Sequence, residues 1–243
     1  MGASLSPHCV GGEGIQRRID MPRTLGIAVI GQAPRPDIAA LFAAQAPAGT
    51  RVVMRGCLDG LSDAEIDALP PTGGADTLYT RLPGGRDARI SKQAVVARAP
   101  ETLARLRADG ADALVFNCTG AFPPMAGDAS VLFPSRVLAG LAAGLLPQGR
   151  LALLVPLPEQ AVKLKEKWQR PGIEIAAEAL VPSGDDAAVE AAAVRLKAQR
   201  PDLVAMDCMS YTPQTKAVVK RVLGVPTLLA ITATGRVLRE LLD

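Results

Sequence analysis

The sequence predicts an α/β protein built as two pseudosymmetric, doubly wound parallel-sheet domains with a cleft between them. From Thr24 onward, short continuous apolar runs alternate with amphipathic helical stretches, the pattern of strands buried on both faces and joined by helical crossovers. One helix–strand–cysteine unit is also written twice. RLRADGADALVFNCTGAFP, from Arg105, aligns without a gap on RLKAQRPDLVAMDCMSYTP, from Arg195. The match pairs Arg105/Arg195, Leu106/Leu196, Ala108/Ala198, Asp112/Asp202, Cys118/Cys208 and Pro123/Pro213.

Each element has its own signal. Residues 1–20 show neither a signal-peptide core nor periodicity and read as a flexible leader. LGIAVI (25–30) is an apolar strand that ends in the turn GQAPRPD, followed by a helix over 38–45 and the strand RVVM (51–54). Ser62 and Glu65 have capping-box spacing for a short helix, and TLYTRL–PGGR–DARI reads as a hairpin. Both fall in an insertion at about 55–91 that the second half lacks, either a lid or a solvent-exposed decoration. A long helix over 90–110 follows, with Pro100 expected near its start or at a kink and Gly110 closing it.

ALVFN (113–117) is the next strand, and a helix over 135–146 leads into LALLVP (151–156). Then come a helix over 159–168, a strand at IEIAAEAL, a helix over 185–199 and the strand LVAMD (203–207). The chain closes with a helix over 213–222, the strand PTLLAI and a helix over 234–242. LGIAVIGQAP set against LALLVPLP extends the repeat. The expected domains are 21–130 and 131–230, with 231–243 packing back on the first.

Composition excludes several function classes. With 49% hydrophobic and 21% charged residues the chain is ordinary globular protein rather than disordered. A net charge of +3, evenly spread, argues against nucleic acid, and 3% aromatics supply too few stacking platforms for single strands. The longest apolar run, LAGLAAGLL, is too short for a membrane span. Four cysteines (Cys9, Cys57, Cys118, Cys208) without metal-like spacing imply free thiols and a cytoplasmic protein. The single histidine, His8, lies in the leader, so chemistry resting on a histidine base or a metal is not expected. Neither GxGxxG nor GxxxxGK[ST] occurs, and no cofactor is expected.

Ligands of doubly wound sheets collect at the carboxyl ends of the strands. Cys118 and Cys208 stand there, one per half, and pseudo-twofold packing aims them at one cleft. Cys9 and Cys57 read as small hydrophobes or plain surface thiols. Around the two cysteines, Asn117, Thr119, Gly120, Met209 and Ser210 suit loops that approach a ligand, with Thr119, Gly120 and Ser210 placed to offer N–H groups to a negative charge. Arg35, in the rigid turn with Gln32 and Pro34, is a candidate to hold a substrate carboxylate bidentately.

The motifs IGQAPRPD (30–37), LDGLS (58–62), RISKQAV (89–95), PSRVL (134–138), VPLPEQ (155–160) and LVAMDC (203–208) make the chain resemble the AroM family over nearly all of Thr24 to Leu242. That family is similar in turn to the aspartate/glutamate racemase superfamily, with its hydantoin racemases, maleate isomerases and arylmalonate decarboxylases. The resemblance implies two pseudosymmetric α/β domains, a cysteine at each edge of the cleft, and acid/base roles for Cys118 and Cys208. It implies a cofactor-independent racemase or isomerase acting at the carbon next to a carboxylate of a small, amino-acid-like substrate. The alternatives are a single-cysteine decarboxylase or cis–trans isomerase, and a non-catalytic binder of a small anion; a homo-oligomer is compatible with all three. Two departures stand out. Met209-Ser210 replaces the Thr-His that follows the second cysteine of glutamate racemases, and Thr119-Gly120 replaces Asn-Thr after the first. Asp207 is expected to raise the Cys208 pKa if it points into the cleft.

Overall fold

A computed structural model describes residues 23–243; the 1–20 leader, with His8 and Cys9, lies outside the described residues. The first half runs β1 (Thr24–Val29), α1 (Pro36–Ala43), β2 (Arg51–Gly56), α2 (Asp63–Asp67), β3 (Thr77–Arg81), β4 (Asp87–Ser91), α3 (Lys92–Ala108), β5 (Ala113–Asn117), β6 (Val131–Leu132) and α4 (Pro134–Leu145). The second runs β7 (Gly149–Val155), α5 (Pro158–Trp168), β8 (Ile173–Ala179), α6 (Asp186–Ala198), β9 (Leu203–Met206), α7 (Pro213–Leu223), β10 (Thr227–Leu229) and α8 (Ala230–Leu242).

Two parallel four-stranded sheets result, in the orders β2-β1-β5-β6 and β8-β7-β9-β10. The orders are the same once β1 is set on β7, so the repeat seen in the cysteine units covers every strand of both sheets. Matched residues do matched work. Asp112 Oδ2 accepts from the Thr24 N–H and Asp202 Oδ2 from the Arg150 N–H, each at 2.8 Å, tying the start of the cysteine strand to the start of its neighbour. The short β6 pairs with β5 at the edge of the first sheet.

Strands buried on both faces explain the unbroken apolar runs. In β5, Ala113 and Val115 join the main core while Leu114 and Phe116 face a second core under α3 and the insertion. The main core continues through Leu151–Val155, all fully buried, so one apolar interior spans both halves. Each fully buried aliphatic side chain there contributes about 1.5–3 kcal/mol. Helix α8 packs on α1, α4 and β5. It comes so close to α1 that a Cβ on Gly235 would sit 2.8 Å from Gln45.

Pro100 lies inside α3 rather than at its start, within the expected alternatives. One local expectation is corrected. Helix α8 begins at Ala230 rather than 234, since β10 is only three residues long. The two-residue β6 was not foreseen. The Ser62–Glu65 capping box and the β3–β4 hairpin form as expected.

Candidate active site between the two sheets

The carboxyl ends of the central strands of both sheets meet over one cavity, and Cys118 and Cys208 both line it. The cavity is tight, about 50 Å³, room for a few waters. Of the residues singled out from sequence, Arg35, Asn117, Thr119, Gly120, Met209 and Ser210 line it as well. Gln32 and Pro34 do not. Gln32 Nε2 instead donates to the Leu58 and Leu61 carbonyls at 3.1 and 2.6 Å, and so braces the turn after β2. Pro34 shapes the loop behind the site through a cis Ala33–Pro34 bond.

The two thiols have the same immediate setting. The N–H two residues on donates to each sulfur: Gly120 to Cys118 Sγ at 3.3 Å and Ser210 to Cys208 Sγ at 3.5 Å. These two N–H groups are thus turned on the sulfurs. Burial raises both thiols, and the N–H bonds offset only part of that. Cys118 is pushed up to about 11, with Lys167 pulling against burial. Cys208 is pushed up to about 12, with the charges of Cys118 and Asp207 adding to burial. Cys57, buried elsewhere, is also raised to about 12 by desolvation. Phe116 and Phe122, ring centroids 4.9 Å apart edge to face, pin the loop that carries Cys118.

Asp207 is buried and lines the cavity, where its charge helps to raise Cys208 as expected for an inward carboxylate. Its carboxylate accepts from Trp168 Nε1 at 2.8 Å and from Lys167 Nζ at 3.1 Å. Lys167 Nζ also donates to the Thr119 carbonyl at 2.6 Å, and Thr119 Oγ1 donates to the Asp207 carbonyl at 3.0 Å. The loop after one cysteine is thus bound to the residue before the other. Nothing in the sequence pointed to Lys167, which sits at the end of a charged helix with the look of a solvated face.

Arg35 is buried, but its fork is occupied. Nε and Nη2 donate to the two oxygens of Asp37 at 2.9 and 2.6 Å, and Nη1 to the Arg81 carbonyl at 2.6 Å. Partial burial opposes ionisation of Asp37, yet the bonds and charge of Arg35 outweigh it and hold the carboxyl below its usual range. The expected carboxylate clamp is therefore closed on the protein's own carboxylate. The sequence carried the signal, since Arg35 and Asp37 are two residues apart across Pro36.

The insertion covers the cavity. Leu78, Tyr79 and Thr80 of β3 line it. The hairpin is tied to the second half by Ser183 Oγ to Asp87 Oδ2 (2.5 Å), Gln160 Nε2 to the Thr77 carbonyl (3.1 Å) and the Arg89–Glu159 ion pair (3.3 Å). Among the described residues, no group of three His, Cys, Asp or Glu side chains converges as a metal site. No helix among them is long and apolar enough to cross a membrane.

A family model described as AroM protein matches residues 25–242, and the chain belongs to that family. No curated protein sequence matches. Among solved structures, the chain is similar to an arylmalonate decarboxylase at 18% identity and a TM-score of 0.57, covering 90% of this chain and 92% of that one. It is similar to glutamate racemase isoform RacE1 of Bacillus anthracis at 14% identity and a TM-score of 0.59, covering 90% and 81%. The glutamate racemase of Francisella tularensis in complex with D-glutamate gives 15%, 0.54, and the same coverage. These likenesses establish the shared fold of two facing parallel-sheet halves.

Proposed function

We propose that this AroM-family chain is a cofactor-independent isomerase of the racemase type, moving a proton at the carbon next to a carboxylate of a small substrate. One observation carries the proposal: two thiols from equivalent positions of two like-built halves line a single cavity. The thiolate of one cysteine takes the proton from one face of the carbon, and the C–H electron pair passes into an enolate. The S–H of the other delivers its proton to the opposite face, leaving that sulfur as the thiolate. Cys118 is the better resting base: the Asp207 charge opposes both thiolates, while Lys167 favours that of Cys118 and the Cys118 charge disfavours that of Cys208. A substrate carboxylate reaches the Arg35 fork by replacing Asp37, whose side chain is 57% exposed and free to swing into solvent. The ties from the hairpin to the second half must open for entry, since the cavity is smaller than such a substrate.

The inequality of the thiols also favours a second reading, in which one cysteine alone serves a decarboxylase or cis–trans isomerase. A pure anion binder fits less well, because it leaves the two like-placed thiols without a role.

The test is turnover in D₂O across racemic amino acids and dicarboxylates. Two-thiol chemistry places solvent deuterium at the stereocentre while interconverting enantiomers, and Cys118→Ser and Cys208→Ser each abolish interconversion. Loss with one variant and tolerance of the other would indicate the single-thiol reading. Wild-type turnover in both variants would end the proposal.

A further inference from the structure

The VPLPEQ motif ends in a residue the proposed proton transfer leaves unused. Gln160, in the first turn of α5, lines the cavity. Its Nε2 donates to the Thr77 carbonyl of β3, which fixes the amide's orientation, since reversing it would set oxygen against oxygen. The Oε1 at the other end is buried and meets no donor among the described residues. Asn117, 8% exposed at the end of β5, lines the same cavity, and its Oδ1 is buried in the same condition. Each buried acceptor left without a donor costs about 1–3 kcal/mol, and most buried polar atoms find partners. The nearby cations do not supply them, because Arg35 is engaged by Asp37 and the Arg81 carbonyl, and Lys167 by Asp207 and the Thr119 carbonyl.

We propose that Asn117 Oδ1 and Gln160 Oε1 form an acceptor pair for a primary ammonium group, so that the substrate is an α-amino carboxylate rather than a nitrogen-free acid. The inference rests on the two-thiol reading, because it sets this group beside the carbon that exchanges its proton. The count of donors selects the group. Two acceptors, one from each half, call for two N–H donors on one substituent. A hydroxyl or a ureido nitrogen offers one, and a carboxylate offers none. Both acceptors are neutral, so they orient the ammonium without pairing its charge and leave the adjacent carboxylate to Arg35. Because Gln160 is held by Thr77 of the hairpin, closing the insertion over the cavity also sets one half of this pair.

The test is calorimetric binding of matched probes to the full chain: aspartate, malate and succinate; alanine, lactate and propionate; phenylalanine, phenyllactate and phenylpropionate. In at least one triad the amino acid should bind about tenfold more tightly than both partners. Gln160→Leu should cut that preference to about threefold or less. Preference for the hydroxy or unsubstituted acid, binding of no probe, or an unchanged preference in Gln160→Leu would each overturn the inference. Amino-acid binding without deuterium exchange leaves it standing while the two-thiol proposal falls; exchange on a nitrogen-free acid does the reverse.

Discussion

At the end of β5 the chain reads Asn117-Cys118-Thr119-Gly120; at the end of β9 it reads Asp207-Cys208-Met209-Ser210. Both loops aim an N–H at the sulfur two residues back, and in both burial lifts the thiol. They differ at the position before the cysteine. Asp207 is saturated by Lys167 and Trp168 and binds the two halves together, whereas Asn117 keeps a buried oxygen without a donor among the described residues. Duplication kept the geometry that presents a thiol. Divergence gave one copy of the neighbouring position to structure and left the other lining the cavity.

That division is open to direct attack. The largest effect on stability is expected from splitting the buried ion pair. Lys167→Met leaves Asp207 charged in the interior and should cost about 3 kcal/mol, read as a lower urea midpoint. Lys167→Met combined with Asp207→Asn should cost clearly less than Lys167→Met alone. At the matching position, Asn117→Ala should change stability by about 1 kcal/mol or less, because the lost oxygen had no partner to leave behind. Equal losses at the two positions would dissolve the contrast between the loops.

A smaller effect tests how faithfully the copies share a backbone. Gly110 and Arg200 are aligned, and both take left-handed φ, +85° and +48°. Glycine adopts that conformation without strain and arginine does not. Arg200→Gly should therefore stabilise the protein by up to about 1 kcal/mol, measured by the same urea titration. Destabilisation would mean that Arg200 makes a contribution its equivalent lacks.

Much of this was legible from sequence because it was local or repeated. Continuous apolar runs such as ALVFN mark strands that are buried on both faces, and the paired cysteines mark where two of them end. The Ser62–Glu65 cap and the PGGR turn are short-range signals and held. What escaped depends on contacts distant in sequence. Val131–Leu132 is too short to show periodicity and is a strand only because β5 lies beside it. Gln160 and Lys167 sit on a helix whose face toward the cavity is set by the second sheet and the hairpin. Arg35 was placed at the site, but its closed fork was missed because a buried guanidinium takes the nearest carboxylate available, here Asp37.

The central claim is that two thiols share one cavity and that Lys167 makes Cys118 the first to ionise. Alkylation of each cysteine with iodoacetamide, followed by mass spectrometry from pH 7 upward, measures this directly. With the two thiols raised to about 11 and about 12, both are neutral at low pH and lose their protons as pH rises. Raised less than Cys208, Cys118 should carry the larger share of thiolate at any pH below both values. Its labelling should lead throughout, Cys57 should lag, and Lys167→Met should remove the lead. Cys208 reacting first, or a lead that survives Lys167→Met unchanged, would contradict the account.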